Sequence, residues 1–176
     1  RLLIVSNRLP VTIEKKDGDL NFKQSVGGLA TGLASFYKSY DSTWIGWCGL
    51  TSEKIDEKEK KIIKTKLEEE YQNYPVFLSK KDIDQYYNGF CNSTLWPLFH
   101  GFTQYTYYIK NDWEVYKKVN EKFCDAVCEI AKPDDTIWIH DYHLMLLPKL
   151  IRERLPQTSI GFFLHIPFPS FEIYRL

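Results

Sequence analysis

Polar side chains follow three apolar segments of the chain, and their types suit a charged or polyhydroxylated ligand. Arg8 follows the run "LLIVS", Asp141 follows "TIWIH", and His165 ends "SIGFFLH". A guanidinium is a permanent cation with paired donors for phosphate or carboxylate, and a carboxylate can accept hydrogen bonds from hydroxyl groups or act as a base. Two of them have a plain alternative, which is a surface ion pair for Arg8 and a structural role for His165.

Two glycines and an aromatic segment add further candidates. Gly27 and Gly28 open the predicted helix "GLATGLASFYKSY", where backbone N–H groups could approach an anion, although the dinucleotide and phosphate-loop glycine motifs are absent. The segment "QYYNGFCNSTLWPLFH" is rich in aromatic and amide side chains. Most such segments pack in cores, but some bind sugars. Its candidate residues are Tyr86, Tyr87, Asn88, Asn92, Trp96 and His100.

A metal site is a weaker interpretation of the same residues. His140 and His143 lie on either side of a strand end and not on one helix face, and no HExxH motif is present. The cysteines at positions 48, 91, 124 and 128 form no CxxC pair, so we interpret them as reduced core thiols. We expect no metal and no other cofactor.

Strands that alternate with helices must position these residues. The pattern predicts an α/β fold with a Rossmann-like parallel sheet and helices on both faces, plus an edge β-hairpin over "VTIEKKDGDLNFKQS". In such sheets ligands bind outside the carboxyl ends of the strands. The remaining predicted strands are "STWIGWCG", "YPVFLS", "TIWIH" and "SIGFFLH"; helices are predicted at 53–71, at about 112–131 and over "LMLLPKLIRERL", with a short helix over "KKDIDQYYNGF" and another beginning after Pro169.

Length and charge limit the classes of function. The 176 residues suffice for one sizeable domain, and the balance of 23 basic and 23 acidic residues argues against a nucleic-acid partner. No apolar run approaches the roughly 20 residues of a membrane span, and the start has no signal-peptide pattern. We therefore expect a cytoplasmic protein without a membrane partner.

Several motifs resemble, in order and spacing, the N-terminal half of trehalose-6-phosphate synthases, which are retaining glucosyltransferases of the GT-B fold. The likeness extends from residue 1 to residue 176, and "IWIHDYHL" followed by "FFLHIPFP" is its most specific part. The other matching motifs are "IVSNRLP", "VGGLATGL", "WIGWCG", "DIDQYYNGFCNSTLWPLFH" and "YKKVNEKF".

The resemblance implies an enzyme that transfers glucose from UDP-glucose to glucose 6-phosphate and forms trehalose 6-phosphate with retained configuration. On this basis Arg8, Tyr87, Trp96 and Asp141 match residues of the acceptor site. Gly27, Gly28 and His165 match residues of the donor site, and Asp141 and His165 lie nearest the reacting centre. Same-face attack, in which the leaving diphosphate helps to take the acceptor proton, is implied over attack by Asp141 as a nucleophile.

The family's polypeptide is longer than this chain, and its second domain binds the nucleotide. We therefore expect residues 1–176 to be an incomplete N-terminal acceptor-binding domain that is inactive alone. A related transferase with another phosphorylated acceptor, such as glucosylglycerol-phosphate synthase or a pseudo-sugar coupling enzyme, stays open, as does a catalytically silent sugar-phosphate sensor. A homo-oligomer or a larger trehalose synthase complex is also left open.

Overall fold

The computed structural model describes residues 1–25, 28, 32 and 41–175. The strands in these ranges are β1 (Leu2–Arg8), β2 (Val11–Lys16), β3 (Asp19–Gln24), β4 (Ser42–Thr51), β5 (Asn73–Leu78), β6 (Thr136–His140) and β7 (Ser159–Phe163). The helices are α1 (Glu57–Tyr71), α2 (Lys80–Asp82), a π-helix (Ile83–Leu95), α3 (Trp96–Phe99), α4 (Lys110–Ile130), α5 (Leu147–Arg154) and α6 (Phe171–Tyr174). Most of the helix predicted from Gly28 lies outside the described residues.

The main sheet has five parallel strands in the order β5-β4-β1-β6-β7, which confirms the predicted α/β fold. β1 is central, and its Val5 pairs with Ile45 of β4 on one side and with Ile139 of β6 on the other. Alternate side chains of β1 enter two separate cores, Leu3 and Val5 on one face and Ile4 on the other. The strand is therefore buried on both faces, as its continuous apolar run predicts.

The predicted hairpin forms, but as a separate two-stranded antiparallel sheet of β2 and β3. Val11 and Ile13 of β2 are buried in the core between this hairpin, the main sheet and α1. Asp17 and Gly18 make its turn with positive φ values of 52° and 90°. The hairpin thus covers part of one face of the sheet.

Helix α1 begins four residues later than the predicted boundary at residue 53. The side chain of Asp56 accepts a hydrogen bond from the backbone N–H of Glu59, whose carboxylate accepts one in return, and this capping box fixes the helix start. Ile63 and Leu67 are fully buried and form the face of α1 that packs into the core. The neighbouring Ile62 is 47% exposed, because it lies one residue away from this buried face.

The helix predicted over "KKDIDQYYNGF" is longer than expected. α2, the π-helix and α3 follow one another without a break from Lys80 to Phe99. Ser79 caps the start through a reciprocal pair of hydrogen bonds with Asp82. This helical segment packs against α4, which agrees closely with the predicted helix at 112–131.

β7 is shorter than the predicted strand "SIGFFLH", and it is more exposed than this apolar run suggests. It is the outermost strand on its side of the sheet, and Phe162 and Phe163 are 40% and 51% exposed. The strand ends at Phe163, so His165 lies in the connection beyond it. The four cysteines carry free thiols, and three of them are buried. Within the described ranges no helix combines the length and the apolar character needed to cross a bilayer.

Candidate active site

The strand order reverses between β1 and β6. The chain runs from β1 to β4 and β5 on one side and then returns to β6 and β7 on the other. In open parallel sheets, the crevice outside the carboxyl ends of the strands at such a reversal is the preferred ligand site. Val5 pairs with Ile139, so Asn7 and Asp141, each two residues further along, lie at this place.

Asp141 directly follows β6 in an unusual backbone conformation. Its φ and ψ angles are 77° and 167°, a region that residues other than glycine rarely occupy. Its N–H donates to the carbonyl of Phe163 over 2.7 Å. Its Oδ1 accepts from the backbone N–H groups of Tyr142 and His165 over 3.0 and 3.2 Å. These bonds fix the carboxylate and leave Oδ2 available to a ligand.

His165 lies close to Asp141, as predicted from the two strand ends. Its Nε2 is 3.0 Å from Nδ1 of His140, and the two rings are tilted by 24°. His140 is fully buried, whereas His165 is exposed. Burial and the neighbouring His165 lower the pKa of His140 to about 4, so His140 is neutral near pH 7. The sequence did not indicate this pairing.

Tyr87 joins the same group through His143. The two rings stack with their centroids 5.7 Å apart and an interplanar angle of 14°. Nδ1 of His143 is 3.9 Å from Oδ2 of Asp141, which is too long for a hydrogen bond. Burial lowers the pKa of His143 to about 3, so it too is neutral. The His143 ring therefore lies between Tyr87 and the Asp141 carboxylate.

Further hydrogen bonds tie the π-helix to the strand ends. Tyr86 is fully buried and donates from its hydroxyl to Oδ1 of Asn7 over 3.0 Å. Tyr142 donates to Oδ1 of Asn92 over the same distance. We call the whole group the strand-end cluster; it comprises Asn7, Tyr86, Tyr87, Asn92, His140, Asp141, Tyr142, His143 and His165.

Arg8 lies at the end of β1, next to the strand-end cluster, and is exposed. It is in register with Trp47 of β4, and its guanidinium carbon is 5.0 Å from the centre of the Trp47 ring. The Trp47 indole is itself fixed, since its N–H donates to the carbonyl of Leu50 over 2.8 Å. An aromatic face under the guanidinium holds the cation at this edge of the sheet without neutralising it. Trp47 was not among the predicted site residues, because the sequence does not reveal which strands are neighbours.

The structure does not join every predicted site residue to the strand-end cluster. Trp96 follows Asn92 by four residues and is 41% exposed, but its ring stacks on His100 at 4.0 Å and lies 6.5 Å from Phe102. Gly28 is exposed, with open space around it. Gly27 lies outside the described residues.

The histidines do not converge as a set of metal ligands. Nδ1 of His140 is engaged with His165, while His143 packs among the rings of Tyr87 and Tyr142. Over the described parts of the chain, no three His, Cys, Asp or Glu side chains are grouped so that they could hold a metal ion. Cys124 and Cys128 form a pair 3.9 Å apart on α4 without a third such ligand among these residues.

Comparison with known proteins identifies relatives over the whole chain. The profile of glycosyltransferase family 20 matches residues 1–176. The UDP-forming α,α-trehalose-phosphate synthase of Emericella nidulans is 48% identical over 181 residues, an alignment that covers 100% of this chain and 35% of that protein. The chain therefore spans about a third of the length of this relative, and 24% of the length of the similar synthase of Dictyostelium discoideum.

Solved structures agree with this relationship. An α,α-trehalose-phosphate synthase (UDP-forming) from Burkholderia xenovorans in complex with glucose-6-phosphate superposes with a TM-score of 0.76 at 34% identity, covering 98% of this chain and 35% of that one. An E. coli structure described as trehalose-6-phosphate bound with UDP-2-fluoro glucose gives a TM-score of 0.76 at 32% identity, covering 99% and 35%. The match extends from the first residue to the last and includes the sheet that carries the strand-end cluster. The chain belongs to glycosyltransferase family 20.

Proposed function

We propose that the enzyme containing this chain transfers glucose from UDP-glucose to glucose 6-phosphate and forms trehalose 6-phosphate with retained configuration. The observation that carries the proposal is the convergence of Asp141 and His165 at the strand-order reversal in a chain of this family. Relatives named as UDP-forming trehalose-phosphate synthases, one solved with glucose-6-phosphate, support the substrates.

Arg8 is the proposed phosphate-binding residue of the acceptor site. Its guanidinium is exposed at the sheet edge and is held over Trp47. A permanent cation fixed in this way can bind a phosphate group bidentately. Tyr87 and Trp96 are proposed to complete the acceptor site, with an aromatic wall and a hydroxyl suited to a sugar ring.

Asp141 is proposed to bind sugar hydroxyl groups near the reacting centre. Its Oδ1 already accepts two backbone N–H groups, so Oδ2 is the atom that can accept from a hydroxyl. The two donors also draw negative charge away from the carboxylate, which makes it a poorer nucleophile toward carbon. This supports a positioning role for Asp141 and same-face attack, in which the leaving diphosphate helps to take the acceptor proton.

The donor site is proposed to include His165, Gly27 and Gly28, with the remaining nucleotide contacts in a second domain, as the family resemblance implies. The reaction is proposed to need no metal, and chelator treatment of the enzyme should leave its rate unchanged. A cytoplasmic location and any homo-oligomer stay predictions.

The proposal is tested by measuring UDP release from UDP-glucose with glucose 6-phosphate, glucose and glycerol 3-phosphate as acceptors. We expect turnover with glucose 6-phosphate, with an α,α-linked product identified by NMR. Turnover only with another phosphorylated acceptor would replace the proposed acceptor. Binding of glucose 6-phosphate without turnover in the complete enzyme would support a sensor and contradict the proposal.

Arg8→Ala tests the acceptor assignment. Loss of a charge-assisted contact to phosphate is worth roughly 1.5–3 kcal/mol, so the KM for glucose 6-phosphate should rise about 10- to 100-fold. Activity with unphosphorylated glucose should change much less. Arg152→Ala is the matched control, because Arg152 is exposed on α5 and bonds the carbonyl of Pro156. An equal loss for both acceptors would reject the assignment.

A further inference from the structure

His140 is a buried polar residue to which neither the sequence nor the proposed mechanism gives a role. Its side chain has no solvent exposure, yet its Nδ1 lies 3.0 Å from Nε2 of the exposed His165. The ring centroids are 5.2 Å apart. The buried imidazole of His140 at the end of β6 therefore contacts the side chain of His165, which faces the ligand site.

His165 is held at two points by the residues around β6. Its backbone N–H donates to Oδ1 of Asp141, and its ring nitrogen Nε2 contacts His140. The ring of Phe163 lies 4.7 Å away and limits rotation on another side. With Nε2 engaged, Nδ1 is the ring nitrogen through which His165 can reach a ligand.

The tautomer of the pair follows from the burial of His140. A neutral imidazole carries one N–H, which is on Nδ1 or on Nε2. Nε2 of His140 is buried and has no hydrogen-bond partner among the described residues. A proton on Nε2 would therefore be a buried donor without an acceptor, a situation that native proteins avoid more strictly than an unpaired acceptor. The N–H of His140 accordingly lies on Nδ1 and donates to Nε2 of His165.

We propose that His140 is a positioning residue that holds His165 in the tautomer with its proton on Nδ1, so that His165 presents a hydrogen-bond donor to an oxygen of the bound sugar. The identity of the sugar, the glucosyl group of the donor, rests on the function proposed above; the tautomer does not. The Nδ1–H group of His165 can donate to a hydroxyl oxygen of the sugar and thereby fix the orientation of the sugar ring.

The tautomer is tested directly by NMR of the enzyme with ¹⁵N-labelled histidine, in which a bare and a protonated ring nitrogen have distinct shifts and couplings. We expect His165 to carry its proton on Nδ1 and to have a bare Nε2. In His140→Phe, which keeps an aromatic ring of similar size, this single tautomer should give way to a mixture. His165 protonated on Nε2 in the unchanged enzyme would overturn the proposal.

Kinetics separate positioning from a general structural role. His140→Phe should lower kcat/KM for UDP-glucose about 10- to 100-fold, since small displacements of a positioning group have effects of this size. The KM for glucose 6-phosphate should stay unchanged. His140→Asn should recover most of the loss, because its amide nitrogen occupies the place of Nδ1. An unchanged kcat/KM in His140→Phe, or no recovery in His140→Asn, would contradict the proposal.

Ile139→Val is the matched control. Ile139 is the buried neighbour in β6 whose side chain points to the opposite face of the sheet. The Ile139→Val variant should be less stable, but its KM for UDP-glucose, its KM for glucose 6-phosphate and its His165 tautomer should be unchanged. Failure of the proposed function is separately visible: an enzyme that does not transfer glucose but has the expected His165 tautomer would refute the function and leave the His140–His165 assignment standing.

Discussion

At the scale of single residues, two histidines of the strand-end cluster are buried in their neutral form. Burial lowers the pKa of His143 to about 3, and burial together with the adjacent His165 lowers that of His140 to about 4. In the unfolded chain both groups titrate near 6.5. Between these values the unfolded chain binds protons that the folded protein does not, so stability falls as the pH falls below about 6.5. Above about pH 6.5 both histidines are neutral in the folded and in the unfolded chain, so they do not make the stability depend on pH.

His143→Phe should remove part of this acid sensitivity. A difference of one pKa unit corresponds to about 1.4 kcal/mol, so protonation of His143 in the unfolded chain should cost about 2 kcal/mol between pH 7 and pH 5. Urea unfolding of both proteins at the two pH values measures the difference. The loss of stability on acidification should be smaller in the variant by about that amount. An identical loss in both proteins would show that His143 is not buried in its neutral form.

At the scale of elements, β4 passes very close to the end of β1 beside the ligand site. A Cβ atom on Gly46 would lie 2.9 Å from backbone atoms of Ser6, Arg8 and Leu9. Backbone atoms cannot move aside as the end of a side chain can. The absence of a side chain at Gly46 therefore sets the spacing between the two strands at the point where Arg8 emerges.

Gly46→Ala should destabilise the protein by about 1–3 kcal/mol, the usual cost of overpacking a core. It should also raise the KM for glucose 6-phosphate, because β1 must shift where it carries Arg8. Urea unfolding and acceptor kinetics measure the two effects. Gly161→Ala in β7 is the matched control, since its Cβ would meet only a Trp138 ring atom at an ordinary 3.5 Å. Equal effects of the two substitutions would contradict this account of the β1–β4 contact.

At the scale of the whole molecule, the chain spans 35% of the length of the Emericella nidulans relative. If the nucleotide site lies largely in a second domain, the 176 residues alone should bind glucose 6-phosphate without releasing UDP from UDP-glucose. Calorimetry with glucose 6-phosphate and a UDP-release assay on the same preparation test both halves of this statement. Measurable turnover would mean that these residues contain a complete active site.

Much of the fold was predictable because its signals are local. The both-face burial of β1 follows from an unbroken apolar run, whereas the start of α1 was predicted four residues too early, because the capping box of Asp56 and Glu59 was not used in the prediction. The π-helical geometry of residues 83–95 has no comparable sequence signal. The exposure of Phe162 and Phe163 also escaped prediction, because it depends on the position of β7 at the side of the sheet.

The candidate site was predictable only in part, because its contacts depend on which strands are neighbours in the sheet. A polar residue after an apolar run reveals a strand end, so Arg8, Asp141 and His165 could be selected from the sequence. The partners of these residues depend on strand order, which pairs β1 with β4 and β6. The Trp47 ring under Arg8 and the buried His140 beside His165 are therefore revealed only by the structure. The assignments of Trp96, Gly27 and Gly28 rest on the family resemblance.

The backbone of Asp141 has a further consequence. Its angles, 77° and 167°, suit glycine and cost other residues about 1–3 kcal/mol. Asp141→Gly and Asp141→Ala remove the same carboxylate, but only glycine relieves the strain. After the greater freedom of glycine in the unfolded chain is deducted, Asp141→Gly should be the more stable of the two by about 1–2 kcal/mol in urea. Equal midpoints would mean that the conformation is not strained.

If the difference is found, a selection for heat tolerance alone should distinguish between replacements of Asp141 that lack a carboxylate. Among such replacements a library should accumulate glycine at position 141, because glycine alone adopts this backbone conformation without strain.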